Sequence, residues 1–205
     1  MGVTLAISTC GPQLEVAVRT ASGSIPSVVR LAGISPRSTL LLAAADLLME
    51  DVGAERSAID RVLVSRGPGS FTGIRTGLAT AAGLVEATGA QALAFDSLTM
   101  QAARCSPHGS VWAAQPGRRG EVYGRSFRLE RDRRPVGVGD VEIFAVDSLT
   151  DRAPWVASEN LDLGAADRVE TVRGAAEALF VLVDLDEPGQ PMEPLYVEGP
   201  PIHGH

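Results

Sequence analysis

The richest chemical possibilities lie in one stretch, RGPGSFTGIRTGLATAAGL, from Arg66 to Leu84. Gly67 and Gly69 permit backbone angles closed to other residues, and Pro68 between them stiffens the turn. Ser70 or Thr72 can cap a following helix through a side-chain oxygen, and the N–H groups of such a helix start can hold an anion. The chemistry in question is phosphate binding, and the spacing tests it. A P-loop requires Lys followed by Ser or Thr, whereas all 18 basic residues of this chain are Arg. The dinucleotide fingerprint requires a third Gly three residues after Gly69, where Thr72 stands. Neither generic nucleotide motif is met. A plain sharp turn and a ligand loop both stay open as readings.

Other candidates are thin. Cys10 and Cys105 have no metal-type spacing. Of the three His, His108 sits beside a turn, and His203 and His205 lie in a polar tail where a flexible segment is the better reading than a metal site. No Ser/His/Asp triad can be argued, because nothing in the sequence brings a His to a chosen Ser. Arg75 falls in the first turn of the motif helix, where the dipole favours anions, so a carboxylate of this chain or of a partner is expected to hold it. Glu121 follows a Gly turn in Glu121-Val122-Tyr123. For both residues, structural pairing outweighs catalysis.

These residues need a scaffold. Arg61–Ser65 is a β-branched apolar run of strand type, and Ile74, Leu78, Ala81 and Val85 share one helical face. Gly73, Gly77 and Ala81 form a stripe almost without side chains, although each interior Gly costs about 1 kcal/mol of helix propensity against Ala. Another backbone must come close, either within the domain or from a second subunit. Upstream, Val3–Ile7, Leu14–Arg19 and Ser27–Leu31 read as antiparallel strands, and Ser35-Pro36 opens a helix through Glu50. From Leu40 to Met49 its only polar residue is Asp46, so it is apolar nearly all round rather than along one stripe. Gln91–Phe95 is the next strand, the strand–helix alternation predicts parallel pairing, and Ser97 is read as the cap of a short helix through Arg104. A boundary near Pro107–Gly109 divides the chain into residues 1–106 and 107–205. Beyond it, Ser110–Ala114, Glu121–Arg128 and Pro154–Ala157 read as strands, Arg128–Arg134 as a solvated loop and Gly174–Val183 as a helix. The end, EPGQPMEPLYVEGPPIHGH, reads as an extended or mobile tail.

Composition narrows the function. A net charge of -7 with a pI near 5.0 argues against non-specific nucleic-acid binding, which depends on phosphate neutralisation. Hydrophobic content of 45% with 21% charged residues is ordinary for a globular protein. The start, MGVTLAISTC, carries too short an apolar run for a signal peptide, and no stretch reaches the ~20 apolar residues of a membrane helix. A cytoplasmic location is the expectation.

The string GPGSFTGIRTGLATAAGL resembles the signature of the bacterial TsaB (YeaZ) family, and LAISTCGPQLEVAV, RRGEVYGRSF and MEPLYV agree with it in order. The resemblance implies an α/β fold of the actin-like ATPase (ASKHA, ribonuclease H-like) type with two lobes. It implies a role in making threonylcarbamoyladenosine in tRNA, with TsaD as the catalytic partner and the ATPase TsaE joining the assembly. Enzymes of this fold carry Asp after the first strand of each lobe, and Ser8 and Gln115-Pro116 stand there instead, so a hard cation lacks its oxygen ligands. The expectation is a subunit without catalytic residues, cofactor or metal, a homodimer when alone, reaching tRNA only through its complex. The expected partner surface joins Leu40, Leu41, Ala44 and Leu48 of the apolar helix to the motif. On the motif it takes Gly69, Ser70, Phe71 and Arg75, with Gly73, Gly77 and Ala81 along the stripe. The rivals are a small-molecule kinase or ATPase of the same fold, and a metallopeptidase-like member.

Overall fold

A computed structural model describes residues 2–23, 26–32, 37–106, 109–150, 152 and 154–198. The sequence readings at Ser35-Pro36, Pro107, His108, His203 and His205 lie outside these residues. The first sheet has the order β3 (Ser27–Ala32), β2 (Gln13–Thr20), β1 (Val3–Ser8), β4 (Ile59–Ser65), β5 (Gln91–Phe95). Its first three strands are antiparallel, whereas β4 joins β1 and β5 joins β4 in parallel, as βα crossovers require. The second sheet has the order β8 (Val136–Ala145), β7 (Glu121–Leu129), β6 (Gly109–Pro116), β9 (Trp155–Val156).

Strand periodicity assigns the two faces of the first sheet. Val3, Leu5, Ile7, Val16, Val18, Val62 and Val64 point to one face and pack with α1 (Arg37–Asp51) and α2 (Phe71–Thr88). Ala6, Ala17 and Leu63 point to the other, where Ala176, Leu179 and Phe180 of α4 (Ala175–Asp184) cover them. α4 therefore completes the first sheet. Glu15, buried beneath it, accepts from the N–H of Ala176 at 3.2 Å and pairs with Arg30 at 3.3 Å. α3 (Ser97–Ala102) places Leu98 and Ala102 in a core with Val111, Phe127 and Val156 of the second sheet.

β8 has no counterpart in the sequence reading. Gly137, Gly139, Asp140 and Glu142 break its apolar pattern, and it is an edge strand with Val136, Val138 and Ile143 exposed. The short helix α3 is capped by Asp96, not by Ser97: the Asp96 carboxylate accepts from the N–H groups of Leu98 at 2.7 Å and Thr99 at 3.4 Å. Asp caps as well as Ser does, and taking Asp96 places Ser97 inside the helix.

The tail reading is also corrected as far as Glu198. Gln190 and Ala94 exchange backbone hydrogen bonds, and the N–H of Leu195 donates to the carbonyl of Arg66 at 2.8 Å. The segment lies along the first sheet and its glycine loop.

Candidate functional site

The glycine loop runs from the end of β4 to α2, with φ of +112° at Gly67 and +146° at Gly69. Both values lie where only glycine is at ease. Close approach excludes a side chain as well: a Cβ on Gly67 would strike the carbonyl of Leu195, and one on Gly69 the carbonyl of Cys10. Ser70 is the N-cap, its Oγ accepting from the N–H of Gly73 at 3.2 Å. The loop is anchored from the far side by Ser97, whose N–H donates to Gly67 O at 2.7 Å and whose hydroxyl donates to Pro68 O.

The small-residue stripe faces inward, which corrects the expectation of a partner contact there. A Cβ on Gly73 would meet the backbone carbonyl of Thr9, and one on Gly77 would meet its hydroxyl. Ala81 is fully buried. The backbone that comes close is thus the segment after β1 of the same chain. Leu41, Ala44 and Leu48 of α1 also belong to the first core and are no outer surface. The outward residues are Leu42, 45% exposed, and Leu47, 58% exposed, with Ala43 beside them and Ala79, Ala82 and Gly83 exposed on the neighbouring α2. Leu40 is half-buried. An apolar-all-round helix conceals which leucines face out, because the pattern offers no polar side to subtract.

Around the start of α2, Gly69, Ser70 and Phe71 are half-buried and Arg75 is exposed. Among the described residues, no carboxylate holds Arg75. Its guanidinium lies 4.2 Å over the Phe71 ring and its Nε donates to the Tyr196 hydroxyl at 3.3 Å, replacing an ion pair with a cation–π contact. Tyr196 stacks on Phe71 with ring centroids 5.2 Å apart. Gly69, Ser70, Phe71 and Tyr196, with Arg118 from the β6–β7 turn, Tyr123 from β7 and Glu198 from the tail, line a pocket of about 240 Å³. Glu121 acts in the same turn through its backbone, donating to Arg118 O and accepting from Gly117 N–H.

Where the two sheets meet, the chemistry is subdued. Ser8 is buried, its hydroxyl donating to Met100 Sδ at 3.4 Å. Gln115 is buried, its Nε2 donating to Ser97 O at 3.3 Å. The turn after β1 presses against this point: a Cβ on Gly11 would lie 3.2 Å from Ser158 Oγ and 3.5 Å from Gln115 Oε1. Arg104, almost fully buried, donates to Gln101 Oε1 at 2.9 Å, Ser158 Oγ at 3.4 Å and Arg173 O at 3.2 Å. Burial lowers its pKa. The same cause raises Asp96, against the two N–H groups it accepts from. It also pushes the Cys10 thiol, which donates to Ser65 O at 3.3 Å, up to about 12. Such a thiol is a poor nucleophile. Arg104 and Asp96 escaped sequence reasoning because their burial comes from contacts between distant segments.

Two sheets, with helices on both faces of a β3-β2-β1-β4-β5 sheet, define a protein of the actin-like (ASKHA, ribonuclease H-like) fold. The family described as "TsaD: tRNA N6-adenosine threonylcarbamoyltransferase" matches residues 30–151, well over half of the sequence, and the chain belongs to that family. Among solved structures it is similar to YeaZ from Pseudomonas aeruginosa, with a TM-score of 0.73 and 21% identity over 96% of this chain and 100% of that one. It is similar also to a protein described as uncharacterized "with similarity to peptidase YEAZ from Pseudomonas aeruginosa", with a TM-score of 0.72 and 22% identity over 97% and 100%. Both likenesses concern the fold, and both agree with the TsaB (YeaZ) resemblance carried by the central string. Among the described residues, no helix is long and apolar enough to cross a membrane.

Proposed function

We propose that the chain is a non-catalytic, TsaB-type subunit for the formation of threonylcarbamoyladenosine in tRNA, acting by docking to a TsaD-type chain. The observation that carries this reading is the state of the junction between the sheets in a member of the TsaD family. Ser8 and Gln115 stand where enzymes of the fold carry carboxylates; both are buried, Ser8 donating to Met100 Sδ and Gln115 Nε2 to Ser97 O, while Gln115 Oε1 has no hydrogen-bond partner among the described residues. The corrected docking surface is the outward face of α1 and α2, centred on Leu42 and Leu47 with the small residues Ala79, Ala82 and Gly83 beside them. Small side chains on α2 let another helix approach closely, and apolar burial contributes roughly 25 cal/mol per Å². A TsaD-type partner of related fold can offer a similar helix pair. In its absence a second copy takes the same face in a twofold dimer, so the two associations compete. TsaE joins the resulting complex, and tRNA is reached through it, in the cytoplasm.

The test is reconstitution of threonylcarbamoyl transfer with TsaD, TsaE and the adenylate-forming enzyme, with and without this chain. Leu42→Asp with Leu47→Asp is expected to keep the fold, since both side chains are outward, and to abolish TsaD binding and transfer together. Full transfer without this chain, or with the folded double variant, sinks the scaffold reading.

A further inference from the structure

The tail touches both sheets, at separate residues. On the first-sheet side, Arg66 NH1 donates to Glu193 O at 3.1 Å, Leu195 N–H donates to Arg66 O at 2.8 Å and Tyr196 stacks on Phe71. On the second-sheet side, Glu198 pairs with Arg118 at 3.2 Å and accepts from the Tyr123 hydroxyl at 3.3 Å. Arg118 lies in the turn between β6 and β7, and Tyr123 in β7 itself. Only one residue, Val197, separates the two anchors. A linker this short transmits displacement rather than absorbing it, since a single residue spans at most ~3.6 Å. Glu198 is three-quarters buried and Tyr123 is nearly buried, so the second anchor is shielded from the screening that weakens an exposed pair.

We propose that Gln190–Glu198 is a strap that couples the two sheets, so that the glycine loop and the β6–β7 turn loosen together. Tyr196 is the first-sheet anchor and Glu198 the second-sheet anchor. The strap gives the molecule a set angle at its junction, and it holds Phe71 and Arg75 in place at the start of α2. The inference stands whether or not α1 and α2 dock to a TsaD-type chain, because it concerns the free protein alone.

Hydrogen–deuterium exchange on the full chain tests it, with Glu198→Ala and Tyr196→Ala compared to the parent. Glu198 touches only second-sheet residues in the contacts above, yet Glu198→Ala is expected to speed exchange at least about threefold in residues 66–74 as well as in 116–123. Tyr196→Ala is expected to do the same in the reverse direction. Another crossing near this point, Gln115 Nε2 to Ser97 O, is touched by neither substitution, so parent and variants share it. Faster exchange confined to the side that lost its contact, or no change on either side, overturns the strap. Should an alanine variant fail to fold, Glu198→Gln and Tyr196→Leu repeat the measurement, and the same outcomes decide it.

Discussion

The hydroxyl of Thr9 donates to the backbone carbonyl of Gly73 at 2.7 Å, in space that Gly73 and Gly77 leave open. A side-chain-to-backbone bond thus ties the residue after β1 to the first turn of α2, and the missing side chains of the helix are what admit it.

Glycines of α2 are therefore expected to respond to alanine in opposite ways. Gly77→Ala forces a methyl group onto the Thr9 hydroxyl and is expected to cost about 1–3 kcal/mol, with Gly73→Ala at the upper end because it meets a carbonyl of the backbone. Gly83→Ala meets nothing within 4 Å and is expected to stabilise by about 0.4–1 kcal/mol. Urea unfolding of the three variants decides it. Equal shifts would mean that α2 does not lie against Thr9.

The thiol of Cys10 supplies a pH dependence. Its pKa rises from 9.0 to about 12 on folding, because burial disfavours the thiolate. The unfolded chain loses its proton first, so this contribution to stability is fully present below pH 9 and is lost as pH rises from 9 toward 12. The slope is about 1.4 kcal/mol per pH unit. Cys10→Ala is expected to flatten the parent's decline over that window while leaving the parts due to Cys105 and Tyr123, which shift the same way. In the native protein at pH 8, a thiol reagent should label neither Cys until urea is added.

Arg104 offers a third measurement. Arg104→Ala strands Gln101 Oε1 and the Arg173 carbonyl at the junction and leaves Ser158 Oγ only the Gln101 Nε2 donor, and a loss of about 3 kcal/mol is expected. Arg104→Lys should recover only part, since an ammonium cannot span the three acceptors as a planar guanidinium does. A loss below about 1 kcal/mol in urea unfolding would show that water already serves these groups.

Nucleotide should leave the protein indifferent. With Ser8 and Gln115 engaged and Gly11 pressed against Ser158, ATP with Mg²⁺ is expected to leave the melting temperature unchanged and to stay unhydrolysed. A ligand at a hundred times its Kd stabilises by about 2.7 kcal/mol, an effect easily seen by calorimetry. A melting temperature that climbs with ATP concentration would count against the non-catalytic reading.

Local signals in the sequence carried much of this architecture. β5 falls at Gln91–Phe95 as read and β4 at Ile59–Ser65, two residues longer than the Arg61–Ser65 run, because short β-branched or apolar runs bounded by turns are locally decided. Ser70 was one of two legible caps for α2, and the structure selects it. The partner face was only half legible. Helical spacing placed Gly73, Gly77 and Ala81 on one stripe, but which neighbour the stripe meets depends on Thr9, more than sixty residues away. In α1 the side facing the sheet depends on strands β2 and β3, so Leu41 and Leu48 were indistinguishable from Leu42 and Leu47. The anchored tail was hidden by its prolines, which signal irregular backbone without saying whether it is held.

α4 covers Ala6, Ala17 and Leu63, residues made long before it on the ribosome. While the nascent chain grows through its second sheet, that face of the first sheet has Met100 and Ala103 beside it but lacks α4. The first sheet must wait for residues 175–184 to emerge, and until then part of its alanine and leucine face is open to chaperones and to other nascent chains. Polysome-bound fragments ending before residue 175 therefore carry an unfinished domain, however native their strands have become.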